Sequence, residues 1–384
     1  MTTQTGTGKM NELFLRLIQP FPGREICEIR ENDLHDIKAS GLKHNLFPLV
    51  YAQLQKYQYF FSPEKLVTDF LEESKGMYLQ SIALSVKQEA VEKEIISLLG
   101  NGEIQSVVIK GNQIAGEIYG DPNCRISSDI DILIRKADAV KADAILSEAG
   151  YIAEEGIPLA YCLARIHHAA YRHPANNMLI ELHWGFGVPY FFSLGPEEIW
   201  RGVVVTDSGR AMLSPEMMLV MLLIHHHSHA FRELKILVDI LWAFYKYERI
   251  IDWQMFAMKI KKMGLLKSTQ ITLHQLQMFR QEAVHELKSV RTLEREMKHM
   301  GQKTPRFLVS YFRIDGGEVS NLYKDKLVAR FALDKRATIL FSYFKTLIPV
   351  PAAIKELYHD QRNWHLPFHY LRFMSWRVRD WMRG

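Results

Sequence analysis

Two aspartates separated by one residue, Asp129 and Asp131, stand within the isoleucine-rich stretch ISSDIDILIR. Such a stretch reads as a strand, whose side chains alternate faces, so the two carboxylates point one way while Ile130 and Ile132 point into the core. Their Cβ atoms are then about 7 Å apart. Like charges so placed are unfavourable unless a cation sits between them, and Mg²⁺ is commonly held by one or two carboxylates together with substrate phosphates. Asp-x-Asp triplets also arise by chance on solvated strand faces, so the pair alone leaves function open. Upstream, Lys110 and Gly111 end the apolar run SVVI, and the residues that follow start a helix whose N-terminal amides could face a phosphate. Any strand-to-helix turn that uses Gly for backbone freedom would look the same.

The elements that must position these groups fall into three regimes. From about Met10 to Leu99, the stretches LHDIKASGLKHN, LFPLVYAQLQKY and LQSIALSVKQEAVEKEIISLLG space apolar residues by three and four, which predicts helices, the last ending at Gly100, Asn101 and Gly102. SVVIKG then reads as a strand, NQIAGEIYG as one or two helical turns, and DAVKADAILSEAGY as an amphipathic helix closed by Gly150. AAYRH and MLIELHWG read as two strands joined by a turn at HPANN. At SPEMMLVMLLIHH a Ser N-cap followed by Pro opens a helix, and helices dominate from there. The expected architecture is α+β: an N-terminal helical region over residues 1–100, a mixed-sheet core over 101–212 and a C-terminal helical domain over 213–384.

Composition narrows the function classes. With 384 residues, 48% hydrophobic and 24% charged, the chain is long enough for two or three domains and a sizeable core. A net charge of +5 is too small and dispersed to argue for nucleic-acid binding, though it suits anionic substrates such as nucleotides. Cys27, Cys124 and Cys162 form no CxxC pair, which argues against a disulfide framework or a Cys-rich zinc site. The first residues carry no signal-peptide pattern, and no apolar run reaches the ~18 residues of a membrane span. A soluble, cytoplasmic protein is the expectation.

The stretch VVIKGNQIAGEIYGDPNCRISSDIDILI resembles the LKG...YGDP..R...DIDLLV signature of a family of uncharacterised bacterial nucleotidyltransferases in the DNA polymerase β-like superfamily. Lys110, Gly111, Tyr119, Asp121, Pro122, Arg125, Asp129 and Asp131 fall in register with it. HNLFPLVYAQL, IELHWGF and HHHSHAFRELKILVDI look like further landmarks, so the resemblance covers most of the chain. It implies a polymerase β-like nucleotidyltransferase core that transfers NMP from an NTP to a hydroxyl of an acceptor: a small molecule, sugar, protein or RNA. It also implies two Mg²⁺ ions held by Asp129, Asp131 and a third acid on a neighbouring strand, best matched by Glu181, which would share a face with His183. Glu181 could otherwise be a solvent-facing strand residue.

The candidate nucleotide-binding residues are Lys110, Gly111, Arg125 and His183. The superfamily usually has a Gly-Ser or Gly-Gly pair shortly before the acids, whereas Lys110-Gly111-Asn112 lies farther upstream, so Lys110 or Arg125 would supply charge there. Lys110 could equally be a surface residue, and Arg125 a structural ion-pair partner of the acids. A non-catalytic nucleotide-binding or assembly module with the same fold is the alternative.

Two further features stand outside that constellation. His225, His226, His227 and His229 follow an apolar helical run, and the i, i+4 spacing places His225 and His229 on one face, a geometry that can bind zinc. No HExxH accompanies it, so polar-face or cleft residues are the expected reading; a metal hydrolase centred on His225 to Asp239 is the competing one. The resemblance instead implies that Lys235 and Asp239 face the cleft. The last twenty residues interleave Tyr370, Phe373, Trp376 and Trp381 with Arg372, Arg377, Arg379 and Arg383, a pattern shared by membrane-surface helices and nucleic-acid contacts. A terminal helix with packed aromatics and wet arginines is favoured over peripheral membrane contact.

Overall fold

A computed structural model describes residues 11–20, 27–154, 159–188, 191–207, 209–277, 279, 287–301, 304–312, 322–335, 338–339, 362, 365–372 and 375. The N-terminal stretch is helical as its spacing predicts. Helices α1 (Glu12–Leu17), α2 (Glu31–Lys43), α3 (Phe47–Tyr57) and α4 (Glu64–Asn101) are accompanied by a short parallel pair, β1 (Cys27–Glu28) and β2 (Phe61–Ser62). The Asn11 side chain caps α1 by accepting from the backbone N–H groups of Leu13 and Phe14. Helix α4 begins well before the LQSIAL stretch and runs to Asn101, with Gly102 as its C-cap.

A five-stranded mixed sheet follows, built from β3 (Ser106–Val108), β4 (Asp129–Ile134), β5 (Ile152–Ala153), β6 (His168–Arg172) and β7 (Leu179–His183), in the order β3-β4-β7-β6-β5. Strand β4 is antiparallel to β3 and parallel to β7, while β6 is antiparallel to both β7 and β5. The one-turn helix α5 (Asn112–Ile114) runs into a π-helical turn at Ala115–Tyr119, and α6 (Ala139–Glu148) ends before Gly150, whose φ of 89° takes the left-handed turn.

Strand alternation gives the sheet two unlike faces. Ile130, Ile132, Ile134, Ala169, Tyr171, Ile180 and Leu182 pack with Val91, Ile95 and Leu99 of α4 and Ala142 and Leu146 of α6 in one apolar core. Each large aliphatic side chain so buried is worth about 1.5–3 kcal/mol. On the opposite face Val107 and Leu133 join a larger core shared by α1–α3 and by the helices that follow the sheet. The carboxylates lie on this second face.

After α7 (Leu159–Arg165), α8 (Pro196–Arg201) and the hairpin of β8 (Val203–Val205) with β9 (Ala211–Leu213), the chain is helical again. Ser214 caps α9 (Pro215–Ser228), accepting from the N–H of Met217, and every residue from Met217 to Ile224 is buried. Helices α10 (Leu234–Lys246), α11 (Trp253–Met263) and α12 (Leu266–Leu276) pack around it, and Leu219, Leu222, Leu223, Ile236, Leu237 and Ile240 are buried as their spacing predicts. Among the described residues no helix is long and apolar enough to cross a membrane. In the terminal stretch residues 366–372 are helical, with Phe368 and Leu371 exposed; Phe373, Trp376, Arg377, Arg379, Trp381 and Arg383 lie outside the described residues.

Candidate functional site

Parallel pairing of β4 with β7 sets Asp131 directly beside Glu181, and antiparallel pairing of β7 with β6 sets His183 directly beside His168. Residues directly opposite on neighbouring strands share a face, so Asp129, Asp131, Glu181, His183 and His168 form one polar patch. His183 Nε2 lies 2.7 Å from Asp131 Oδ1 and 3.1 Å from Glu181 Oε2. The Lys110 ammonium donates to the same Asp131 Oδ1, and its side chain is buried, not at the surface. Asp131 Oδ2 is buried with no hydrogen-bond partner.

The electrostatics follow from these contacts. Burial works to raise the Asp131 pKa, but Lys110 and His183 prevail and hold its carboxyl well below the usual range. Burial works against charge on Lys110 and His183 too, yet Asp131 raises Lys110, and hydrogen bonds to Asp131 and Glu181 raise His183. Burial would raise Glu181 as well, and its hydrogen bond to His183 brings it down. One face thus holds ionised carboxylates interleaved with cations, the arrangement that desolvated charges require.

Asp129 stands slightly apart. Its Oδ1 accepts from Ser127 Oγ at 2.9 Å, while Gln88 of α4 donates to the Ser127 carbonyl at 2.6 Å. Gly111 sits over this turn at φ 68° and ψ −135°, a conformation open in practice only to glycine, and a Cβ there would be 3.8 Å from that of Ser127. Gly111 therefore brings the Lys110 turn down onto the segment that leads into the acids.

Arg125 is placed elsewhere. Its Nε donates to both oxygens of Asp239 on α10, at 3.2 and 3.0 Å, and the Tyr119 hydroxyl donates to the same carboxylate at 2.7 Å. Its ion-pair partner is thus Asp239, not the strand acids. Lys235, one turn earlier on α10, donates to the Ile126 carbonyl at 3.3 Å. Asp121 caps the short turn Pro122–Cys124, and Tyr119 and Arg125 tie the segment before β4 to α10, while Arg125 Nη1 is buried without a hydrogen-bond partner.

The four histidines of α9 and its end are divided among separate tasks. His226 Nδ1 lies 3.2 Å from Thr272 Oγ1 and His227 Nδ1 lies 2.8 Å from Ser268 Oγ, both in the interior. His229 pairs with Glu233, and its ring stacks edge-on against His225 with centroids 4.4 Å apart. Among the described residues, the groups whose donor atoms lie within 4.8 Å of one another, as a metal would need, are Asp131/Glu181/His183 and His167/His168/His183. Neither includes Asp129 or the α9 histidines. Asp239, committed to Arg125 and Tyr119, is likewise in neither group, contrary to a metal centre running from His225 to Asp239.

His167 and His168 were not foreseen from the sequence. Counting back from the HPANN turn pairs His168 with His183, so that signal was present; His167 lies in the bend before β6, where strand alternation says nothing. His167 also lines a cavity of about 200 Å³, together with Trp184, Phe186, Phe192 and Ile224, and with Lys136 among its polar lining residues. Burial pushes the His167 pKa down to about 2, so the ring is neutral at physiological pH.

The fold and site define an α+β protein with a carboxylate–imidazole–lysine patch on one face of a mixed sheet. The model of a family described as uncharacterised nucleotidyltransferase matches residues 33–280, and the chain belongs to that family. Among curated proteins none matches the chain.

Proposed function

We propose that the chain is a metal-dependent nucleotidyltransferase that moves NMP from an NTP to an acceptor hydroxyl, on a core of the polymerase β-like kind. The observation that carries this reading is the direct pairing of Asp131 with Glu181 across two parallel strands, with Asp129 on the same face. Membership in a nucleotidyltransferase family supports the reaction class. The donor set fits a divalent cation: hard carboxylate oxygens suit Mg²⁺, and Asp131 Oδ2 is a buried acceptor that nothing else satisfies. Asp131, Glu181 and Asp129 would hold Mg²⁺, two ions being the expectation for the class.

When bound, Mg²⁺ supplies neutralisation of triphosphate charge and a more acidic acceptor hydroxyl. The chain's own residues divide the remaining work by accessibility. The Asp131 side chain is 1% exposed and clamped by Lys110 and His183, which suits an oriented ligand; that of Glu181 is 20% exposed and can be reached by an acceptor. Glu181 accepts the hydroxyl proton as the oxygen attacks the α-phosphate and pyrophosphate leaves. Lys110 holds Asp131 in place and lends positive charge beside the phosphates.

A second reading, a nucleotide-binding or assembly module without turnover, is favoured by one observation: Lys110 and His183 already neutralise Asp131. Thermal unfolding of wild type and Asp129→Asn/Asp131→Asn, with each NTP and with or without Mg²⁺, tests nucleotide binding. Ligand at a hundred times its Kd stabilises the native state by about 2.7 kcal/mol. A Mg²⁺-dependent shift lost in the double variant supports the site, and release of labelled pyrophosphate separates turnover from binding. Absence of any shift with all four NTPs counts against nucleotidyl transfer and favours the assembly module.

A further inference from the structure

We propose that His167, His168 and His183 form a three-imidazole site for a transition-metal ion of the Zn²⁺ class, beside the carboxylates and apart from the Mg²⁺ reading. One ring nitrogen from each lies within 4.8 Å of the others, and the ring centroids are 4.7, 5.2 and 5.7 Å apart. Tetrahedral Zn²⁺ with ordinary Zn–N bonds needs nitrogens about 3.3 Å apart. Closing that gap calls for side-chain rotation of His167 and His168, both only partly buried.

The second observation concerns ring nitrogens left without partners. The Nδ1 atoms of His167, His168 and His183 are all buried and none has a hydrogen-bond partner. Interior polar atoms are nearly always satisfied, and three orphans in one cluster call for a group that satisfies them together. His183 is the anchor because its Nε2 serves both Asp131 and Glu181, so that Nδ1 becomes the ligating atom once the metal displaces its proton. A carboxylate bound to the far nitrogen of a ligating histidine is the usual support of metal sites, since it orients the ring and raises its basicity.

The chemistry of the donors selects the ion. Imidazole nitrogens suit Zn²⁺ and its neighbours among the transition metals, whereas Mg²⁺ prefers oxygen. Three protein ligands leave a fourth position for water or an anionic oxygen of a ligand, the pattern of a reactive zinc site and not a closed structural one. His167 belongs also to the wall of the apolar cavity beside Trp184 and Phe186, so a molecule in that cavity lies next to the proposed ion.

The test uses the untagged, metal-stripped full chain with Co²⁺ as a spectroscopic probe and Zn²⁺ in equilibrium dialysis, with no nucleotide present, so that its outcome is independent of nucleotidyl transfer. The expected result is one ion per chain, an intense visible band of tetrahedral Co²⁺, and affinity in His167→Gln and in His168→Gln weaker by more than the roughly 10–100-fold that loss of an outer-shell partner costs. Glu181→Gln, which removes one of the two carboxylates that support His183, should weaken binding by only about tenfold, less than the loss of a ligand. Circular dichroism of each variant checks that it folds, and the wild-type Co²⁺ spectrum decides independently of any variant. No bound ion, a weak octahedral spectrum, undiminished binding in both histidine variants, or a loss in Glu181→Gln equal to theirs would overturn the proposal.

Discussion

Arg125 and Asp239 form an ion pair in the interior, 114 residues apart in sequence, with side chains 4% and 0% exposed. It joins the segment leading into β4 to helix α10, and Tyr119 completes the carboxylate's hydrogen bonding. Removing one member of such a pair strands a charge in the protein interior. Asp239→Ala should therefore cost about 3–5 kcal/mol in urea unfolding. The double variant Arg125→Met/Asp239→Leu should recover most of that; equal instability of single and double variants would refute the pair as the cause.

Asp131 and Glu181 share a face but differ in exposure, and the proposed roles differ accordingly. Glu181→Gln should lower kcat by about 10²–10⁴-fold, as expected of a general base, while Mg²⁺-dependent NTP binding stays largely intact because Asp129 and Asp131 still hold the ion that accompanies the triphosphate. Asp131→Asn should remove the Mg²⁺-dependent thermal shift as well as turnover. Measured pyrophosphate release by Asp131→Asn at the wild-type rate would end the assignment.

Lys110 is held inside the fold by Asp131. Lys110→Met should destabilise the Mg²⁺-free protein by about 3 kcal/mol, because Asp131 loses one of its two cationic partners. If the same carboxylate binds Mg²⁺, the added ion should restore more stability to Lys110→Met than to wild type in paired melting curves. An equal Mg²⁺ response in the two proteins would place the ion elsewhere.

His226 and His227 give the stability an acid limit. Burial pushes both imidazoles down to about 3, whereas in the unfolded chain they protonate near 6.5. The unfolded state therefore binds more protons between these values. Their contribution is fully present above about pH 6.5 and is lost as pH falls toward 3, with a slope of up to about 1.4 kcal/mol per pH unit for each ring. Urea unfolding at about pH 7 and about pH 5 should show a smaller loss in His226→Gln/His227→Gln than in wild type; identical slopes would mean that other groups set the acid limit.

Much of the frame was legible in the chain itself. The spacing of isoleucines around Asp129 and Asp131 assigns the strand and the common face of the acids, the HPANN turn assigns the β6–β7 hairpin, and Ser214-Pro215 marks the start of α9. These are local properties: backbone alternation, turn chemistry and capping act over a few residues, so a single stretch of sequence determines them.

Tertiary structure decided which side chains meet. The parallel register that sets Glu181 beside Asp131 depends on the whole connection through α6, β5 and β6, and nothing local encodes it. The burial of Lys110 against Asp131 depends on the Gly111 turn folding over Ser127, and the partner of Arg125 on the packing of α10. His167 joins His168 and His183 because the chain bends just before β6, which lets two adjacent residues reach the same cluster. Periodicity tells a residue which face of its own element it takes; only packing determines what lies across from it, and a reactive site is made of groups that lie across from one another.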